Sequence, residues 1–108
     1  MGERVTDASG LRIEIDLRGD AALVQIVGEV DVASAPKLED ALLDAIGRGA
    51  RRLLIDASGI AFIDSTGLRS VTAALRARDG VHITVQSPTP AVRNVLRVTG
   101  LDGIISLE

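Results

Sequence analysis

The sequence predicts an α/β domain in which a mixed sheet of four to five strands, opened by an N-terminal hairpin, carries helices packed on it. Three observations predict it. Residues 11–17 alternate apolar and polar without a break, the period of a strand with one wet face, and a second apolar run follows Arg18, Gly19 and Asp20. Apolar residues recur at helical spacing from Leu38 to Ile46, and the short run Leu53, Leu54, Ile55 comes next, the order of a β-α-β unit with parallel strands. A further helical pattern and the alternating residues 81–85 repeat that order.

Each element has its own local reason. Residues 1–10 are polar and carry Gly and Ser, so a flexible lead-in is expected there and the domain proper over 11–108. Residues 22–27 form the returning strand of the hairpin, more continuously apolar and so placed deeper in the sheet. Gly28, Glu29, Val30 and Asp31 lead to Ser34, an expected N-cap, with Pro36 in the first helical turn where its missing N–H costs little. Leu38, Ala41, Leu42, Ala45 and Ile46 make the buried stripe of that helix, which Gly47 and Gly49 end. Residues 51–56 are the next strand, with Asp56 opening a loop through Ala57, Ser58 and Gly59. A second helix runs from about Thr66 to Arg78, with Leu68, Val71, Ala74 and Leu75 inward. Thr89 caps and Pro90 opens a third helix carrying Val92, Val95 and Leu96, stopped by Thr99 and Gly100. Residues 104–107 make a last short edge strand.

Composition narrows the function. The 108 residues fit one domain, and with one Phe and no Trp or Tyr the core is aliphatic. A net charge of −3, without stacking aromatics or basic runs, argues against nucleic-acid binding. With no Cys and a single His, thiolate and His-cluster metal sites are excluded, and no cofactor is expected. The N-terminal residues lack the apolar core of a signal peptide, and no apolar run is long enough to span a bilayer. A cytoplasmic protein without direct membrane insertion is expected.

The most informative stretch is residues 56–68, where Ile60, Ala61, Phe62 and Ile63 pass through Asp64 into Ser65, Thr66 and Gly67. Ser65 stands where a helix begins, so its hydroxyl can cap that helix, act as a nucleophile or accept a phosphate. On residue type a cap is the commoner role. A nucleophilic serine needs a base beside it, yet His82 is the only His and lies on a strand, and the Gly-x-Ser-x-Gly turn of hydrolases is missing. Asp56 as a phosphoaccepting aspartate would need an acidic pair on an earlier strand, and Glu29 and Asp31 come in the wrong order of elements. No enzyme is expected. Glu29 and Asp31, in a loop just past a strand, can share one end of the sheet with Ser65 as an interaction surface.

These residues resemble a known family. Residues 56–68 look like the signature of STAS domains, specifically the bacterial anti-sigma factor antagonists. Gly28, Glu29, Val30 and Asp31 with the helix opening at Ser34 are similar to a second block, and residues 87–101 to a third. The resemblance implies a switch in a single STAS domain. The unphosphorylated form binds an anti-sigma factor that is itself a serine kinase and releases the sigma factor; phosphorylation at Ser65, with Thr66 as second choice, turns binding off; a metal-dependent serine/threonine phosphatase resets it. The partner surface so implied comprises Glu29, Asp31, Asp64, Ser65, Thr66, Gly67 and Arg69. Arg69 stands where the family usually has a small residue, and it either pairs with a phosphate on Ser65, alters which kinase fits, or is a solvated helix residue. The same fold also serves as a STAS subunit of a lipid-transport ATPase or another membrane-associated complex, the alternative function.

Overall fold

The computed structural model describes residues 2–6 and 10–108. One six-stranded sheet runs in sequence order: β1 Gly2–Thr6, β2 Arg12–Arg18, β3 Ala21–Val30, β4 Arg52–Ile63, β5 His82–Gln86 and β6 Ser106–Leu107. β1, β2 and β3 pair antiparallel, and β3 through β6 pair parallel. The parallel strands are linked by α1 Ala35–Gly47, α2 Ser65–Arg76 and α3 Pro90–Thr99, the last followed by one 3₁₀ turn, Leu101–Gly103.

Parallel crossovers are right-handed, so successive ones stepping in the same direction leave their helices on one face of the sheet. The burial follows. Ile13, Ile15, Val24, Ile26, Leu53, Ile55, Ile83 and Val85 alternate along β2 to β5 and form one core with Leu38 and Leu42 of α1, Leu68 and Val71 of α2, and Val92 and Leu96 of α3. The buried Ser70 hydroxyl of α2 donates to the Ala35 carbonyl at 2.8 Å, tying α2 to the first residue of α1. The helices therefore cover one face only. The other carries a polar row, Glu14, Gln25, Asp56 and Gln86, set side by side by the register of β2 to β5.

The α/β class, the hairpin, the β-α-β order and the three helices are those the sequence predicts, but two segments differ. Gly2–Thr6, expected as part of a flexible lead-in, pairs with β2, and the sheet has six strands rather than four to five. Five residues of mixed polarity carry too little alternation to be read as a strand; pairing their backbone with the outer edge of β2 is a non-local gain. Secondly, residues 57–59 are not a loop: β4 runs through them, Arg52–Ile63, 12 residues in all. Its register against β3 shifts between Gln25 and Val27 and again between Gly28 and Glu29, so β4 bulges twice. Gly59 permits this. A Cβ there would stand 2.9 Å from Val27 Cγ2 and 3.0 Å from the Ile26 carbonyl oxygen.

Asp56 accordingly lies inside β4 instead of opening a turn. Its Oδ1 accepts the Ser58 N–H at 3.0 Å and the Ser58 hydroxyl at 2.7 Å across the first bulge. These bonds, the N–H first, hold its carboxyl below the ordinary value of 3.8. A depressed folded pKa contributes stability that is present above the unfolded value and lost as pH falls through the folded one. Ser58→Ala removes one donor and keeps the N–H, so the Asp56 titration midpoint, followed by carboxyl NMR, is expected to rise. An unchanged midpoint would mean that the hydroxyl bond does not hold the bulge.

Candidate functional site

The site lies where β3 and β4 end and α1 and α2 begin. Asp64, with extended backbone (φ −114°, ψ −174°), is the N-cap of α2, and its Oδ1 accepts the Gly67 N–H at 3.0 Å. Its own N–H donates to the Val30 carbonyl at 3.2 Å, which fastens the start of α2 to the end of β3. Ser65 is therefore the first residue of the helix and not its cap. Asp and Ser are both good caps, but a carboxylate also meets the positive end of the helix dipole. Ser65 is exposed, and among the described residues its hydroxyl has no hydrogen-bond partner. Thr66 behind it is half-buried, and Gly67 is buried against Val30 and Ile63.

The facing segment is held by Ser34, which is fully buried. Ser34 occupies the N-cap position of α1, yet its hydroxyl makes no cap bond. It donates to the Glu29 carbonyl at 2.8 Å and accepts the Asp31 N–H at 3.0 Å, while the Asp31 carboxylate accepts the N–H groups of Ala33 and Ser34 at 3.0 and 3.1 Å. This closes a tight turn between β3 and α1. Asp31 sits in that turn, whereas Glu29, expected in a loop, is inside β3, opposite Phe62 of β4. The structure thus brings Glu29, Asp31, Asp64, Ser65, Thr66 and Gly67 to one end of the sheet. Arg69 follows Ser65 by one turn of α2; it is exposed and has no ion-pair partner among the described residues.

Two residues of this surface were not singled out from the sequence. Phe62, the chain's only aromatic residue, is 47% exposed, and Val32, beside Asp31, is 73% exposed. A signal existed for Phe62: in Ile60, Ala61, Phe62, Ile63 a half-covered sheet cannot turn every apolar side chain inward. Val32 had none, since a lone apolar residue in a turn is ordinary.

Chemically the site offers a hydroxyl and several carboxylates, and among the described residues no histidine stands beside Ser65. His82 starts β5 beside Arg52 at the start of β4, whereas Ser65 follows the end of β4. At about 3.3 Å per residue the two are separated by on the order of 30 Å. The exposed Ser65 hydroxyl is therefore far from the imidazole of His82. Among the described residues no group of three or more His, Asp or Glu is placed to hold a metal ion, and no helix is long and apolar enough to cross a membrane.

Comparison with known proteins agrees with this architecture. A curated anti-sigma-B factor antagonist of Staphylococcus epidermidis is 25% identical over 100 residues, which are 91% of this chain and 93% of the relative. The crystal structure of an anti-sigma factor antagonist from Mycobacterium paratuberculosis superposes with a TM-score of 0.82 at 26% identity, covering 95% of this chain and 89% of that one. The anti-sigma factor antagonist SpoIIAA in its unphosphorylated form shares the fold, with a TM-score of 0.77 at 19% identity over 89% and 87% of the two chains. The family profile described as "Mlab, STAS domain" matches residues 13–107, from the second residue of β2 to β6 with all three helices, and the chain belongs to the STAS domain family.

Proposed function

We propose that this protein is an anti-sigma factor antagonist. Its unphosphorylated form docks on an anti-sigma factor with serine-kinase activity and thereby releases a sigma factor; phosphorylation of Ser65 ends the docking. The observation that carries this is the setting of Ser65: an exposed hydroxyl, without a partner among the described residues, on the first residue of α2, at the end of the sheet where Phe62 and Val32 are also exposed. The similar proteins from Staphylococcus epidermidis and Mycobacterium paratuberculosis are named as an anti-sigma-B factor antagonist and an anti-sigma factor antagonist, which supports the antagonist role here. In this role the domain is a ligand and kinase substrate, not an enzyme, it works in the cytoplasm, and a metal-dependent serine/threonine phosphatase restores the docking form.

Phosphate adds about −1.5 to −2 charges and strong acceptors to a surface already holding Asp64, Glu29 and Asp31. Docking would then require stripping water from that charge, which is costly without a matched cation. The free domain need not refold, because Asp64 remains the cap and the first turn of a helix tolerates an anion. Capture from native lysate tests the proposal. Wild-type and Ser65→Ala baits are expected to retain a protein with an ATP-binding serine-kinase domain, and Ser65→Glu to lose it. Retention by Ser65→Glu would remove Ser65 from the switch. Retention of transporter ATPase subunits, with no such kinase, would favour the lipid-transport role instead.

A further inference from the structure

Ser65 and Arg69 stand four residues apart on α2, the spacing that stacks two side chains on one helix face. Both are exposed, and neither side chain has a partner among the described residues. The residues around them leave the first turn short of acceptors. Asp64 Oδ1 takes the Gly67 N–H and the Asp64 carbonyl takes the Leu68 N–H, but no described acceptor takes the N–H groups of Ser65 and Thr66. No acidic residue lies within the first turn itself. An exposed guanidinium is thus in reach of a hydroxyl that, once phosphorylated, presents three anionic acceptors beside two free N–H donors.

We propose that Arg69 is the intramolecular counter-ion of phosphorylated Ser65. Drawn back along α2 by the phosphate, it leaves the docking face at the moment that face gains negative charge. Modification then changes two features at once: it adds an anion and withdraws the cation available to an acidic partner. A planar, always-charged guanidinium suits this role better than an ammonium, since it can bind two phosphate oxygens together. The other charges near that end of the sheet, Asp64, Glu29, Asp31 and Lys37 in the first turn of α1, are common to all variants of the test and set only its baseline.

The proposal rests on Ser65 as the phosphosite, so the test installs the phosphate independently of any kinase. Protein carrying biosynthetically incorporated phosphoserine at position 65 is titrated by ³¹P NMR, with Arg69 intact and as Arg69→Gln and Arg69→Lys. In Arg69→Gln the second ionisation is expected about 0.2–0.4 pH unit higher, the size of an i,i+4 ion pair gained with the second phosphate charge. Arg69→Lys should fall between, and the difference should shrink in molar salt. Coincident titration curves for intact Arg69 and Arg69→Gln would overturn the pairing. That result would leave the capture experiment, and with it the assignment of Ser65, unaffected.

Discussion

Gly67→Ala is expected to destabilise the domain by roughly 1–3 kcal/mol, the cost of forcing an extra methyl into a packed site. Helix propensity predicts the opposite sign, since Ala in place of Gly inside a helix is worth about 1 kcal/mol of stabilisation. Geometry decides between them. A Cβ at position 67 would stand 2.7 Å from Val30 Cγ1, 2.8 Å from Ile63 Cγ1 and 2.9 Å from the Val30 carbonyl oxygen. The two side chains can rotate away at some expense. The carbonyl cannot, because it belongs to β3 and also accepts the Asp64 N–H. In thermal denaturation each 1 kcal/mol should lower the midpoint by about 4–8 °C for a domain of this size. Gly47→Ala is the control: a Cβ at the last residue of α1 meets nothing within 4 Å, so a neutral or raised midpoint is expected. If Gly67→Ala melted at or above wild type, α2 could not be seated on Val30 and Ile63 as described. Ser65 would then not be held where the docking surface requires it.

Phe62→Ala is expected to leave the fold in place and to weaken docking on the anti-sigma factor by at least about tenfold, or 1.4 kcal/mol. Phe62 is 47% exposed near the end of β4, so nearly half of its surface is still in water and open to a partner. A large aromatic side chain with one face free gains mainly from a partner that covers it. The adjacent Val32, more exposed and smaller, should show the same direction with a lesser effect. Titration calorimetry against the anti-sigma factor identified by capture, with a melting curve on each variant, separates the two contributions. Lost binding with an unchanged melt places Phe62 in the docking surface. Unchanged binding would move that surface away from this end of the sheet, even with Ser65 correctly assigned.

Much of the fold could be read locally because it is specified locally. α3 runs from Pro90 to Thr99, as its residues announce: the Thr89 hydroxyl accepts the Val92 N–H, and Gly100 follows in the left-handed conformation (φ +78°). The apolar stripe of α1 is buried residue for residue, from Leu38 to Ile46. Where local signals are shared by two structures, they were not enough. Asp56, Ala57, Ser58 and Gly59 are as suitable for a turn as for a bulged strand, and the side-chain-to-backbone bond within one residue pair occurs in both. Asp64 and Ser65 are both cap residues, and only the extended backbone at Asp64 settles which of them caps α2. Glu29 was displaced for the same reason: β3 runs on to Val30 because the bulged β4 runs beside it.

Local signals in the chain specify the α/β class, the order of hairpin and β-α-β units and the helices. Periodicity, caps and breakers act over a few residues, which is why the chain carries them locally. Long-range packing sets the rest: that β1 extends the sheet, that the helices share one face, and that Phe62 and Val32 remain exposed. Each of those depends on pairing or covering by residues distant in the chain. Whether an apolar side chain is core or surface is a property of what lies over it, and among the described residues α2 covers Val30 and Ile63 but leaves Phe62 half open and Val32 exposed.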